Sequence, residues 1–375
     1  MKKILIVYAT AGIGHKKASI AVKKAYDEMK LPGVEVTLID ALDYTNNFFK
    51  WSYLQVYLLM VNKLPTFWGL SYYLTDLTFI DLFVSYIRRI NNWANSKRLV
   101  KYIADTKPDV IISTHFFASE VVADLKQKSL TSSKLITVVT DYRLHAWWVC
   151  EGTDAYIVAS EDTRRDLEGR KVDPAQIKVM GIPIEPVFSK TLDRPKIFNE
   201  TGLRDDLFTI LVIGGGFGVG PIEGIVKVIA QIPKELQTVV VCGHNEELVK
   251  RIESLKDEYK LNMKVLGFID NVYEYMDMSD ILTSKPGGIT VSESLAKEIP
   301  LVIISPILGQ ETRNSAFLVK NNAAVKVNNL DELKAALEVL VTDPMKLDKM
   351  KEAIKLIRKP YAAYDVAKFA YEYNK

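Results

Sequence analysis

At 375 residues the chain is longer than one hydrophobic core usually serves, so two domains of ordinary size are expected. With 48% hydrophobic and 25% charged residues the composition is globular, and a net charge of +3 argues against nucleic acid as a partner, because phosphate binding needs clustered excess base. Cys150 and Cys242 stand far apart and outside any CxxC or Cys/His spacing, which suggests neither a disulfide framework nor a zinc site and fits a reducing cytoplasm.

Met1-Lys2-Lys3 and the short apolar run behind it lack the length of a signal peptide and read as a first strand. No unbroken apolar run approaches the roughly 20 residues that span a bilayer, so a soluble or peripheral protein is expected. The runs Ile4 to Tyr8, Val34 to Ile39, Val110 to Ser113, Leu135 to Thr140 and Ala155 to Val158 alternate with helical patterns at intervals that suit βα units. Each is short, β-branched and apolar on both faces, the signature of a parallel sheet covered by helices on either side.

The loop Thr10-Ala11-Gly12-Ile13-Gly14-His15 follows the first run and opens an Ala-rich helix. It puts an imidazole at a strand's carboxyl end, where the ligand crevice of an open α/β sheet lies, and histidine titrates close enough to neutrality to take a proton from a hydroxyl. The alternative is a histidine that merely caps or braces the helix. Lys17 occupies the third glycine position of a dinucleotide fingerprint, and the Gly-Lys-Ser/Thr ending of a P-loop is missing, so a nicotinamide enzyme or an ATPase is disfavoured.

From Tyr44 to Trp93 the chain carries 14 of its 37 aromatic residues, where an even spread would give about five. Phe48, Phe49, Trp51, Tyr53, Tyr57, Phe67, Trp68, Tyr72 and Tyr73 are interrupted by Lys50, Lys63 and Pro65, and Arg88, Arg89, Lys97, Arg98 and Lys101 follow. Aromatic residues with flanking base are what an interfacial helix pair uses to sit in a headgroup layer and attract anionic lipid. A helical insertion packed on its own domain is the other reading.

Gly181-Ile182-Pro183-Ile184-Glu185-Pro186 interrupts helix and strand alike, and a boundary is expected near residue 190. A second series of runs follows: Phe208 to Ile213, Thr238 to Val241, Met263 to Gly267, Asp280 to Thr283, Leu301 to Ser305 and Ala324 to Val327. The first domain thus covers 1–190, with the aromatic helical insertion at about 44–93. The second covers 191–375, and its last helix can return to the first.

Three turns of the second half suit a ligand. Gly214-Gly215-Gly216-Phe217-Gly218-Val219-Gly220-Pro221, with Pro221 suited to the first helical position, offers amides and a positive helix end to a phosphate, although tight packing alone also selects glycines. In Thr283-Ser284-Lys285-Pro286-Gly287-Gly288-Ile289-Thr290-Val291-Ser292-Glu293 the amides near Thr290 suit a diphosphate and Glu293 can accept both ribose hydroxyls, yet Thr290-x-x-Glu293 is also a capping box that needs no ligand. Gly309-Gln310-Glu311, with Asn314 a turn beyond Gln310, can read sugar hydroxyls.

Together, Gly12-Ile13-Gly14-His15, Val139-Thr140-Asp141, the glycine turn at 214–220, Lys285-Pro286-Gly287-Gly288 with Glu293, and Gly309-Gln310-Glu311 resemble the bacterial and plant diacylglycerol glycosyltransferases. These are the monogalactosyldiacylglycerol synthases and processive diacylglycerol glucosyltransferases, grouped in glycosyltransferase family 28 with the peptidoglycan GlcNAc transferase. The resemblance covers essentially the whole chain. It implies an α/β fold of the GT-B type, two Rossmann-like domains facing each other across a cleft, with the nucleotide held by the second and the acceptor by the first. It further implies a UDP-sugar donor, UDP-glucose or UDP-galactose, inversion at the anomeric carbon, and need of neither cofactor nor metal.

By the same resemblance Pro286, Gly287, Gly288 and Thr290 match the diphosphate turn, with Gly215 and Gly216 supplying loop amides, Glu293 the ribose carboxylate, and Gln310 with Glu311 the sugar contacts. Phe268 and Ile269 match the backbone that binds uracil. His15 matches the catalytic or acceptor-positioning histidine and Asp141 the acidic candidate, either of which can be the base. Gly14, His145, Phe48, Phe49, Trp51, Tyr57 and Trp68 fall on the acceptor and membrane side. Two departures stand out. Ile13 interrupts the glycines before the histidine, and Tyr142-Arg143-Leu144-His145-Ala146-Trp147-Trp148 replaces the family's His-Pro-Thr-Trp form, which leaves the role of His145 open.

The expected reaction is one displacement. The 3-hydroxyl of diacylglycerol attacks the anomeric carbon, His15 or Asp141 accepts its proton, and UDP leaves from the opposite face, its charge met by the helix end at Thr290 and the glycine-loop amides. The expected place is the cytoplasm, peripheral on the inner face of the cell membrane. One rival is a transferase of the same fold that moves GlcNAc from UDP-GlcNAc to a polyprenyl-linked cell-wall intermediate, against which the aromatic excursion at 44–93 speaks. The other is a UDP-sugar-binding protein without turnover, which would lack His15 and Asp141.

Overall fold

The computed structural model describes residues 1–10, 12–216, 218 and 220–373, with side chains left aside at 57, 58, 61, 62, 78 and 82. The expected lipid contact of Tyr57 therefore lies outside the described residues. The chain forms two compact units: Met1–Pro186 with Ile307–Arg313 and Tyr361–Lys375, and Val187–Pro306 with Asn314–Pro360.

The first unit begins β1 (Lys2–Tyr8), α1 (Ile13–Met29), β2 (Val34–Asp40), followed by the helices α2 (Asn47–Lys63), α3 (Pro65–Leu74), α4 (Thr78–Asn95) and α5 (Lys97–Thr106). Then come β3 (Val110–Ser113), α6 (Phe116–Gln127), β4 (Lys134–Val138), β5 (Ala155–Val158), α7 (Glu161–Gly169) and β6 (Ile177–Val179). The strands form one parallel sheet in the order β2-β1-β3-β4-β5-β6, with Ile4 registered on Val36 and Val110. Strand β6 has no counterpart among the expected strands: it is three residues long with Lys178 at its centre, too short for an apolar run and suited to a sheet edge.

The second unit holds α8 (Arg194–Thr201), β7 (Phe208–Ile213), α9 (Ile222–Ile229), β8 (Leu236–Val241), α10 (Glu246–Tyr259) and β9 (Met263–Leu266). It continues with α11 (Val272–Asp277), β10 (Ile281–Ser284), α12 (Gly288–Ala296) and β11 (Leu301–Ile304). The chain then runs through α13 (Gln310–Lys320), β12 (Ala324–Val327), α14 (Leu330–Thr342), α15 (Pro344–Ile357) and α16 (Ala362–Glu372), the last belonging to the first unit. The order β12-β11-β10-β7-β8-β9 is again wholly parallel. Both units are thus doubly wound, Rossmann-like α/β layers.

Helices cover both faces of each sheet, which is why the central strands are apolar throughout. On one face of the first sheet Val22, Ala25 and Tyr26 of α1 pack with Val366, Ala367 and Ala370 of α16, and the Tyr26 hydroxyl donates to the Ala367 carbonyl at 2.6 Å. On the other, Leu99 and Ile103 of α5 meet Phe117, Val121 and Leu125 of α6. In the second unit Ile225, Val226, Leu333 and Leu337 lie over β7 and β11. Valine, leucine, isoleucine and phenylalanine side chains buried this deeply stabilise a fold by about 1.5–3 kcal/mol each.

The strand orders locate the crevices. In the first sheet the chain departs from β1 toward β2 on one side and returns to β3 on the other; in the second it makes the same reversal between β7 and β10. Ligands of open α/β sheets bind beyond the carboxyl ends of the strands at such reversals.

Helix α4 is amphipathic the wrong way round for a water-facing helix. Its polar face points inward: the Arg88 Nε donates to Glu120 at 3.0 Å, the Arg89 guanidinium to Asp124 at 2.5 Å, and Asn92 to Glu120 at 2.7 Å. Phe79 (87%), Phe83 (69%), Tyr86 (65%) and Ile90 (54%) stay exposed along one stripe. Arg88 and Arg89 are therefore committed to carboxylates of α6, a correction to their reading as base offered to lipid. Among the described residues no helix is long and apolar enough to cross a membrane.

Candidate active site

In the first unit the reversal between β1 and β3 is occupied by His15. Gly12 caps α1 with φ 107°, a left-handed value that favours glycine, and contributes no side-chain cap of its own. Two residues into the helix lies His15, half-buried, its Nδ1 2.8 Å from the Thr114 carbonyl and 3.0 Å from the Thr140 hydroxyl. A carbonyl only accepts, so Nδ1 carries the proton and Nε2 keeps its lone pair. Thr114 is doubly tied, its hydroxyl donating to the His15 carbonyl at 2.9 Å and meeting the Ser19 hydroxyl at 2.8 Å. Burial lowers the His15 pKa to about 4 against the opposing pull of the Thr114 carbonyl, so the ring is neutral at pH 7.

Asp141 follows Thr140, at the point where the chain leaves β4, two residues earlier than the apolar pattern suggests. A second imidazole, missed by the sequence reading, lies edge-on to His15 at 4.4 Å between ring centres: His115, buried, whose Nδ1 accepts the Phe117 amide and caps α6. Burial first, then His15, holds its pKa well below the usual value. The signal was present in Ser113-Thr114-His115, a polar triplet ending an apolar run just as the first loop does.

Aromatic contacts lead on from His15 through Trp148 (6.0 Å), Phe116 (5.9 Å from Trp148) and Trp147 (5.3 Å from Phe116) to His145 and Tyr72. His145 is buried; its Nε2 donates to the Tyr72 carbonyl at 2.9 Å and its Nδ1 accepts the Trp147 amide at 3.2 Å, which ties the 142–148 loop to α3. Burial lowers its pKa to about 4. The segment 307–313 belongs to this unit too. Gln310 is half-buried, and Glu311 is buried with its carboxylate accepting the Ile307 amide at 2.7 Å.

Of the expected lipid-facing aromatics, Phe48 (75%) and Trp51 (60%) are exposed and Trp68 is half-buried. Phe49 is a correction: it lies in the core against Phe117 at 5.8 Å and Tyr53 at 5.6 Å, because successive residues of a helix point to different faces and Phe48 takes the outer one.

In the second unit the reversal lies between the turns after β7 and β10. Ser284 Oγ donates to the Ile213 carbonyl at 2.9 Å, joining the two strand ends. Gly215 is exposed and Gly216 half-buried; Phe217 and Val219 lie outside the described residues. Gly214 and Gly218 are required by packing, since a Cβ there would come within 2.9 Å of the Gly218 Cα and 2.4 Å of the Cys242 carbonyl, both backbone atoms. The following helix starts at Ile222 with Pro221 as its cap, one residue later than expected.

Helix α12 starts at Gly288 with Gly287 as its cap, so Pro286, Gly287 and Gly288 form the turn and Thr290 is inside the first turn of helix. The capping box is therefore not formed, for Thr290 is not a cap and Gly287 provides no side chain. Glu293 is buried on the same helix. Asn314, expected beside Gln310 as a sugar contact, is fully buried and donates instead to the Pro286 carbonyl at 3.1 Å, bracing the turn. Phe268 is exposed and stacks on His244 at 4.2 Å with the planes 10° apart, while Ile269 is half-buried. Among the described residues no group of three or more His, Cys, Asp or Glu side chains is arranged to hold a metal ion.

The sequence profile of monogalactosyldiacylglycerol (MGDG) synthase matches residues 15–184 and that of glycosyl transferases group 1 matches residues 193–356. A processive diacylglycerol beta-glucosyltransferase of Bacillus pumilus (strain SAFR-032) is 30% identical over 368 residues, covering 97% of this chain and 93% of its own. Its counterpart in Bacillus mycoides (strain KBAB4) is 31% identical over 367 residues, 96% and 91% respectively. Among solved structures, MurG of Acinetobacter baumannii aligns with a TM-score of 0.65 over 99% of this chain and all of its own at 14% identity, a likeness of fold. The chain thus belongs to the diacylglycerol glycosyltransferase family, that of the MGDG synthases and processive diacylglycerol beta-glucosyltransferases, built on the GT-B fold.

Proposed function

We propose that the protein transfers a hexose from a UDP-sugar to the 3-hydroxyl of diacylglycerol, with inversion, at a membrane surface. The observation that carries this reading is the neutral His15 with a lone pair on Nε2, set at the strand reversal of the first unit in a chain of this family. The acceptor hydroxyl gives its proton to Nε2 as its oxygen attacks the anomeric carbon. The bond to the diphosphate breaks on the opposite face and UDP carries the electron pair away. Asp141, next in sequence to the Thr140 whose hydroxyl meets His15, is the alternative base. In this reading Gly287, Gly288 and Thr290 present amides and a helix end to the diphosphate, with Gly215 and Gly216 beside them; Glu293 takes the ribose, and Phe268 and Ile269 take uracil through their backbone. Gln310 and Glu311 meet the sugar.

The inside-out stripe of α4, with Phe48 and Trp51 on α2, supports attachment to lipid from the cytoplasmic side, on the inner face of the cell membrane. Diacylglycerol does not leave the bilayer, so an enzyme acting on it has to come to the surface. UDP-glucose is the favoured donor over UDP-galactose because the similar full-length relatives are named for glucose transfer. The test is to incubate the purified protein with diacylglycerol vesicles and each UDP-hexose in turn, chelator present, and to identify the product. A hexosyldiacylglycerol with β linkage is expected. Turnover confined to UDP-GlcNAc and a polyprenyl-linked acceptor would overturn the reading, as would nucleotide binding with no transfer to any acceptor.

A further inference from the structure

Helix α3 grips the chain at 307–313 more closely than any ordinary helix contact allows. A Cβ on Gly69 would come within 2.5 Å of Leu308 Cβ, and one on Gly309 (φ +99°) within 2.8 Å of Tyr72 Cγ, so two glycines are needed for the approach. At the end of the segment Arg313 donates from Nη2 to Asp76 at 2.5 Å and from Nη1 to the Leu144 carbonyl at 2.6 Å. Its guanidinium also lies over the rings of Tyr72 and Tyr73, 5.1 and 5.5 Å from their centres.

Asp76, in the link between α3 and α4, is the hub. It also accepts from Arg170 at 2.6 Å and from the Ala146 amide at 2.8 Å. Burial would raise its pKa, but the hydrogen-bonded Arg313, together with His145 and the Ala146 amide, holds it below the usual value, so the carboxylate is charged. Both partners are largely buried, with side chains 20% and 15% exposed, where an oriented charged pair loses little to solvent.

We propose that Arg313 and Asp76 are positioning residues for the donor sugar: they pin the Gly309-Gln310-Glu311 turn to α3 and to the loop after Asp141, and so set the affinity for the sugar separately from that for the nucleotide. The proposal rests on the reading that Gln310 and Glu311 meet the sugar. Neither Arg313 nor Asp76 touches it. They act by fixing where the turn stands, in a segment whose Glu311 carboxylate accepts the Ile307 amide.

The experiment compares Arg313→Gln, Asp76→Asn, the double variant, Arg313→Lys and Gln310→Ala by KM for UDP-glucose in the vesicle assay and by UDP binding in calorimetry. Arg313→Gln and Asp76→Asn are expected to raise KM about tenfold with UDP affinity unchanged, and the double variant to be no worse than the single ones, since they break one unit. Arg313→Lys, which keeps the charge and loses the planar fork, is expected to recover part of the affinity and serves if the glutamine variant does not fold. An unchanged KM in the Arg313 and Asp76 variants while Gln310→Ala raises it overturns the positioning role alone. Unchanged KM in all of them overturns the sugar-contact reading and this proposal with it. A parallel loss of UDP affinity marks general disruption and also overturns it.

Discussion

The imidazole of His15 donates from Nδ1 to the carbonyl of Thr114 across 2.8 Å, and that one bond leaves the lone pair on Nε2. Substituting His15 by Ala is expected to lower kcat by about 10²- to 10⁴-fold, the usual contribution of a general base, with UDP affinity intact. Asp141→Asn should also lower turnover with UDP affinity intact, and a larger loss than in His15→Ala would make Asp141 the base. Because burial sets the His15 pKa at about 4, the rate of the wild-type enzyme should stay level as pH falls from 7 to 6 rather than decline around 6.5. A midpoint near 6.5 that disappears in the alanine variant would contradict the neutral ring.

Stability should follow the same histidines. His15 and His145 have folded values of about 4 and His115 one well below its usual value, each through burial, so the unfolded chain binds more protons than the folded one in the window from about 4 up to the unfolded value of 6.5. Stability then rises with pH across that window and is lost as pH falls through it. The urea midpoint at pH 5 is expected to lie below that at pH 7, and His145→Gln, which can keep a donor toward Tyr72 and an acceptor toward Trp147, should flatten the difference. Equal midpoints for the wild type at the two pH values would remove the argument.

Glu293 lies buried on α12, with Gly287 rather than Thr290 at the helix cap. The Thr290–Glu293 capping box is thereby ruled out, and the ribose contact proposed for Glu293 has a direct test. Glu293→Ala is expected to weaken UDP binding by about 10- to 100-fold, the worth of hydrogen bonds to a charged acceptor, with thermal stability altered less. Isothermal titration with UDP reads the first and a melting curve the second; unaltered affinity would leave Glu293 with a packing role alone.

Much of this was legible because it is local. A β-branched run of four to six residues names a buried parallel strand, and a small-residue turn after it names a crevice, which is why His15, Gly287 and Glu293 stood out. Three features were not legible, for reasons of distance or geometry. Arg313 and Asp76 pair across 237 residues, and no periodicity links such positions. Phe48 and Phe49 look alike in sequence, but one turns to solvent and the other into the core, a matter of helix phase that an aromatic stretch with little polar contrast does not reveal. Arg88 and Arg89 suggested base for lipid until α6 supplied Glu120 and Asp124 from the next apolar helix.

The exposed stripe of α4 gives the membrane reading its own test. Phe79→Ser with Phe83→Ser removes two side chains that are 87% and 69% exposed, so the fold loses little by their replacement. Insertion of a phenyl ring into the headgroup layer recovers part of the about 1.5–3 kcal/mol of a fully buried side chain, and the double variant is expected to bind diacylglycerol vesicles at least tenfold more weakly while UDP affinity stays unchanged. Co-sedimentation with vesicles measures it, and undiminished binding would shift the lipid contact away from α4.

Glycines of the second unit separate packing from ligand approach. A Cβ on Gly243 (φ +60°) would stand 2.5 Å from the Gly216 carbonyl and 2.7 Å from that of Gly215, backbone atoms that cannot rotate away. Gly243→Ala must therefore push the turn after β7, and about 1–3 kcal/mol of stability should be lost to strain alone, with UDP affinity falling too because the turn moves. Gly215 has the same left-handed backbone, φ +70°, but among the described residues nothing lies within 4 Å of where its Cβ would be. Gly215→Ala should thus cost only the backbone term, about 1–2 kcal/mol, unless a diphosphate approaches the open side. Calorimetric binding of UDP to the two variants, set against their melting temperatures, distinguishes the cases: a loss of affinity in Gly215→Ala beyond its loss of stability is expected if the turn contacts the donor, and a loss of stability without one would return all the glycines of this turn to packing.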